Sequence, residues 1–284
     1  MALTALAPAS AAPTAESPLA AAYARLAEIL PTMRITETGG PLPSGDGWIS
    51  DEDLAAGGDA VEAFLRWDDE QVRHDYGQQP RPDVVASFGL HRYAWPATLL
   101  ITIPWFLHRR VPRFPAGTVA FHRARGLLAV RPSRFACLPG DPAAGLPGAR
   151  IVGGEEALRA EVREAVAELL GPVLEGFRPR MRRGPRALWS LATDEIVEGL
   201  WYVGQLLGDE GRARAEAERL LPGTVAPFPK GAGFRELAAP GGESLTTRDR
   251  AGCCLFYTLR PADTCTTCPR TCDATRIARM TASR

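Results

Sequence analysis

The chain has no asparagine and one lysine, Lys230, so nearly every cation is arginine. With abundant Ala, Gly and Pro, this reads as the codon bias of a GC-rich genome. Arginine richness therefore says little about an anionic ligand. Net charge is also missing, 33 Lys and Arg against 33 Asp and Glu, so nothing pulls the whole molecule toward nucleic acid or anionic lipid. Long apolar runs are absent. The most apolar one, residues 97–107, contains Pro104 and ends at His108-Arg109-Arg110, whereas a spanning helix needs about 20 apolar residues. The first residues lack the basic region and apolar core of a secretory signal. Residues 1–16 read as a disordered tail, and the expectation is a cytoplasmic protein with reduced thiols. Neither a Walker A nor a Rossmann glycine fingerprint occurs. The four histidines all lie between His74 and His122, which argues against a Rieske centre, since that needs two beside its cysteines.

What is present is an ordinary globular composition, 284 residues with 45% apolar and 23% charged, and a concentration of sulfur near one end. Four of the six cysteines fall within sixteen positions: Cys253-Cys254, then Cys265-Thr266-Thr267-Cys268-Pro269. Thiolates are soft ligands, and four together suit zinc or iron–sulfur, not calcium or magnesium. The C-x2-C turn lets both sulfurs reach one metal. The vicinal pair is unusual, because successive side chains of an extended chain point to opposite faces. Cys253 and Cys254 can share a metal only if the backbone kinks, which Gly252 could permit. Structural zinc sites space their pairs by two to four residues, so the vicinal pair favours a cluster offering two irons. Zinc and, less readily, disulfides remain alternatives. Cys265, Cys268 and Cys272 form part of a 4Fe–4S ferredoxin run, but the missing cysteine would stand at Ala262. Cys272 is accordingly read as a non-ligand, and Cys137, in a strand-like segment, as a small buried residue.

The C-C-x10-C-x2-C arrangement resembles the C-terminal signature of the FhuF-like ferric iron reductases. Arg250 before the pair and Tyr257 after it agree with that family, as does Arg186-Ala187-Leu188-Trp189 opening a helix upstream. Where the family continues Gly-Asn, this chain has Ser190-Leu191. Where its loop is glycine-rich, this chain has 260–264, Arg-Pro-Ala-Asp-Thr. The resemblance spans roughly residues 184–272. It implies that Cys253, Cys254, Cys265 and Cys268 hold a 2Fe–2S cluster. It further implies one-electron reduction of a ferric siderophore of hydroxamate type. The electron donor would be a ferredoxin, a flavodoxin or a flavin reductase. Arg186, Trp189 and Tyr257 are the candidate substrate residues, with Trp201 and Tyr202 as further aromatic candidates and the arginines of 178–186 as donors. Two other functions compete: a 2Fe–2S electron-transfer protein serving another oxidoreductase, and a zinc-stabilised interaction protein.

The expected fold class is α+β, mostly helical, with a small antiparallel sheet in mid-chain. Three regions are expected: the tail 1–16, a body 17–245 with its sheet at about 117–153, and a cluster-binding segment 246–284. Ser17-Pro18 and Ser50-Asp51-Glu52 start helices, the second interrupted by Gly57-Gly58 and running to about Arg73. Residues 31–49 read as loop. Asp83 opens a helix that Gly89 could end, and Pro96 begins another through the buried run 97–107. Strand-like runs at 118–121 and 127–130 form a hairpin, and 134–138 and 150–152 add strands. An amphipathic helix covers 155–170 and extends to Phe177 past Gly171-Pro172. Further helices cover 185–207, 209–221 and about 271–280. Residues 222–245 read as a long loop.

Overall fold

A computed structural model describes residues 17–262 and 264–282; the predicted N-terminal tail lies outside them. The architecture is α+β. The helices are α1 (Ala20–Ile29), α2 (Asp51–Ala56), α3 (Gly58–Tyr76), α4 (Pro82–His108), α5 (Glu155–Phe177), α6 (Pro185–Leu206), α7 (Glu210–Leu220) and α8 (Asp273–Ala282). The strands are β1 (Arg34–Glu37), β2 (Trp48–Ser50), β3 (Arg110–Arg113), β4 (Val119–His122), β5 (Leu127–Val130), β6 (Arg134–Cys137), β7 (Ala149–Ile151), β8 (Phe234–Ala238) and β9 (Ser244–Arg248).

Helix α4 is the axis of the body. It is apolar on all sides and packs against α1, α3, α5 and α6, as a helix without a polar face must. The sequence suggested two helices here, broken at Gly89 and Pro96; the structure has one of 27 residues. Packing overrides both breakers. Gly89 lets α3 approach, since a Cβ there would stand 2.3 Å from Leu65 Cδ2. Pro104 has no N–H for the Leu100 carbonyl four residues back, and the buried Tyr23 hydroxyl of α1 donates to that carbonyl instead, at 2.9 Å.

The single antiparallel sheet of the sequence reading becomes two mixed sheets and a separate hairpin. One sheet has the order β1-β5-β4-β2 and the other β3-β6-β7. The hairpin β4–β5 pairs antiparallel as expected, with Phe121 opposite Leu128. β1 lies parallel to β5, and β7 parallel to β6. β1 and most of β2 arise within the predicted loop 31–49, β8 lies within the predicted loop 222–245, and β9 straddles the end of that loop. Strands of three to five residues carry too little alternation to be read locally, and distant partners supply their pairing. Ser50 caps α2 through a full capping box with Asp53. Among the described residues no helix is long and apolar enough to cross a membrane.

Candidate iron–sulfur centre

The two cysteine arms follow β9 and are fastened to the body from three directions. Asp194, wholly buried on α6, is the first anchor. Its carboxylate accepts from the backbone N–H groups of Ala251 and Gly252, both at 2.8 Å, and from Arg248 Nη2 at 2.8 Å. Arg250 Nε adds a longer contact of 3.4 Å. Gly252 packs closely there: a Cβ would meet Ser190 Cβ at a tight 3.3 Å and Asp194 Oδ2 at 3.5 Å. The bend that the vicinal pair needs lies one residue beyond it. Leu255 adopts φ 68°, a left-handed conformation that costs a non-glycine residue ~1–2 kcal/mol.

The second anchor is apolar. Leu255 and Leu259 bury against Val72 and Val84, and the Phe256 ring sits 5.8 Å from Tyr76 and 6.3 Å from Phe88. Backbone carbonyls of the pair are also held: Arg183 donates to Cys253 O at 2.5 Å and Ser87 to Cys254 O at 3.1 Å. The third anchor is Arg276 of α8, 2% exposed. Its guanidinium donates to Cys268 O at 3.0 Å, Thr271 O at 3.2 Å and Arg248 O at 3.2 Å. One side chain thereby ties the second cysteine arm to the strand that leads into the first.

The sulfurs of the two arms meet at Cys254 and Cys265. A hydrogen bond from Cys265 is the main reason the Cys254 thiol falls to about 5, with Arg250 and His91 helping against the penalty of burial. The same contact pushes Cys265 up. Burial works against the Arg250 charge, but Asp194 and Glu195 outweigh it and raise its pKa. Cys268 is buried, while Cys253 is half-buried. Cys272 is exposed at the start of α8, its thiol lowered chiefly by the Thr275 hydroxyl. Cys137 is buried in β6. Among the described residues no three Cys, His, Asp or Glu side chains surround a common point as a single metal ion requires. The donor chemistry fits a thiolate-held cluster nonetheless: two arms meet sulfur to sulfur, one thiol is held low, and a guanidinium stands beside it.

A cleft of about 610 Å³ opens against Cys265. Trp201 and Tyr202 of α6 form one wall, Thr246 and Thr247 of β9 another, and Thr266 and Thr267 adjoin Cys265. Of the other candidate substrate residues, Trp189 packs edge-on to Phe228 at 5.5 Å. Tyr257 lies under the Arg270 guanidinium at 4.2 Å, and Arg186 is exposed in the first turn of α6. None of these three lines the cleft. Sequence reasoning missed Asp194, Arg276 and Thr247. Asp194 left one trace, a carboxylate three residues from Leu191 and from Val197 on a buried helix face.

No curated protein matches the chain. Residues 250–270 match the family model of the FhuF 2Fe-2S C-terminal domain, and a 2Fe–2S cluster is the cofactor that this match supports for the clamped segment.

Proposed function

We propose that this protein is a cytoplasmic one-electron reductase of ferric siderophores of hydroxamate type, with Cys253, Cys254, Cys265 and Cys268 as cluster ligands. The observation that supports the reading best is the cleft bordered by Cys265, which gives a bulky chelate a place beside a ligand of the redox centre. A 2Fe–2S cluster supplies one electron at a time, at low potential when four thiolates hold it. Fe(III) in hard oxygen ligands takes that electron, becomes Fe(II), and binds those oxygens less tightly. The protein's own residues hold and orient. Trp201 and Tyr202 offer apolar faces to the chelate, and the hydroxyls of Thr266 and Thr267 offer hydrogen bonds, while the Thr246 hydroxyl is engaged with Glu236 and Arg214. Asp194 and Arg276 keep the cysteine arms in register with that cleft. Tyr257 and Phe256 shield the opposite arm from water.

The electron is replaced by an acidic carrier of the ferredoxin or flavodoxin kind, docking on the other arm. Arg182, Arg260 and Arg270 are exposed there and form no ion pair among the described residues. Arg270 covers Tyr257, and Arg260 covers Tyr76, whose ring meets Phe256, so these two arginines stand beside the Cys253–Tyr257 turn; Arg182 adjoins Arg183, which holds the Cys253 carbonyl. Charge complementarity at such a face raises association rates more than affinity. The test is a titration of dithionite-reduced protein with a ferric trihydroxamate under argon, with a ferrous-specific chelator present. One Fe(II) trapped per cluster reoxidised is the expected result. A reduced protein that leaves the chelate untouched while passing electrons to another acceptor rules the reading out.

A further inference from the structure

The cleft beside Cys265 also carries a charge preference. Two carboxylates line it, Glu198 from α6 and Glu210 at the start of α7. Glu210 Oε1 accepts from Trp201 Nε1 at 2.7 Å, which fixes that carboxylate beside the aromatic wall. Glu198 Oε2 accepts from Arg248 Nε at 3.2 Å, yet its side chain stays 46% exposed. The one cation of the lining, Arg250, faces Asp194 and is further offset by Glu195. Arg248 is likewise paired with Asp194. The acidic groups thus outnumber the cations that could neutralise them. A separate feature marks the cleft as built for a ligand. Thr247 is 1% exposed, and its hydroxyl has no hydrogen-bond partner among the described residues. Most buried polar atoms are satisfied, so a lone hydroxyl on a cleft wall fits a ligand oxygen or N–H.

We propose that the cleft selects ferric chelates by charge, taking cationic trihydroxamates in preference to neutral ones and excluding anionic complexes such as tris-catecholates. The proposal rests on the reading of this cleft as the chelate site. Glu198 and Glu210 attract a pendant ammonium, the Thr247 hydroxyl meets a chelate oxygen or amide, and Trp201 covers the apolar chain. An anionic complex meets two carboxylates with no unpaired cation to compensate, and juxtaposed like charge is an effective way to reject a ligand.

Redox-inert Ga(III) complexes separate binding from electron transfer. The full chain with its cluster is titrated, following tryptophan fluorescence, with three probes. These are the Ga(III) complex of a linear trihydroxamate with a free terminal amine, the same complex with the amine acetylated, and a Ga(III) tris-catecholate. The ammonium form should bind most tightly and the catecholate not measurably. Glu210→Gln keeps an acceptor for Trp201 Nε1 and should weaken the ammonium form about three- to fivefold, as expected for a half-exposed ion pair, while leaving the acetylated form within about twofold. Glu198→Gln should act in the same direction, with thermal unfolding monitored because Arg248 loses a partner. Equal affinities for the amine and acetylated forms, or equal effects of both variants on both forms, overturn the charge preference and leave the reductase reading standing. Failure of every probe to bind overturns the cleft assignment and this proposal together. Ordered binding of Ga(III) forms without reduction of the ferric forms overturns the reductase reading alone.

Discussion

At the scale of single residues, the centre depends on a few side chains that hold backbone, and the cysteines are only the visible part. Cys253→Ser and Cys268→Ser should each lose most of the cluster, because affinity rests on the complete ligand set. Cys272→Ser should keep it, since that thiol is exposed and engaged with Thr275. Iron and sulfide counts with a visible spectrum decide, and a bleached Cys272→Ser protein beside a coloured Cys254→Ser protein overturns the assignment. Asp194→Asn makes a sharper test of the scaffold. It removes the charge facing the buried Arg248 and one acceptor of the Ala251–Gly252 turn. Arg248 keeps Glu198 at 3.2 Å, so the loss should fall short of the roughly 3–5 kcal/mol of a fully stranded buried ion, read from urea unfolding. Cluster content should fall even at temperatures where the variant stays folded. The thiol positions were legible because four cysteines within sixteen residues suit a soft metal or a cluster, and the resemblance to the FhuF-like signature then implied 2Fe–2S. Asp194 was not, because a carboxylate within a helix becomes an anchor only when a distant loop presents its N–H groups to it.

At the scale of elements, α4 shows how a helix tolerates residues that should end it. Tyr23→Phe should cost about 1–3 kcal/mol, the penalty for leaving the Leu100 carbonyl without a donor. Pro104→Ala restores an N–H at that place, so in the Pro104→Ala background the Tyr23→Phe penalty should shrink toward zero. Equal penalties in both backgrounds, measured by chemical denaturation, would mean that the hydroxyl serves some other purpose. Where α2 meets α5, Gly176 marks a contact with no room for a side chain: a Cβ would stand 2.0 Å from Leu54 O. Gly176→Ala should therefore destabilise by about 1–3 kcal/mol as the helices are pushed apart. Helix starts such as Ser50, with its capping box, were readable from adjacent residues. The strands β1, β2, β8 and β9 were not, because each is too short to declare itself and exists through the strand it pairs with.

At the scale of the whole molecule, the cysteine segment has two faces with different partners in view. One arm borders the cleft with its carboxylates, and the other sits under exposed arginines. Charge reversal at Arg182, Arg260 and Arg270 together should slow reduction by an acidic carrier at least tenfold at low salt and flatten the dependence of that rate on ionic strength. Reduction by dithionite should be unaffected. Stopped-flow rates across a salt series make the comparison, and an unchanged salt slope would remove the arginine face from consideration as the docking site. The sequence by itself determined the α+β class, the buried run in α4, the main helices and the four clustered thiols, since periodicity, capping and ligand spacing are local properties of the chain. Tertiary structure alone decided that α4 runs unbroken, that the sheets are mixed, and that Asp194, Arg276 and a cleft stand around the sulfurs. Those features consist of pairings between residues far apart in the chain, and only folding brings such residues within hydrogen-bonding distance.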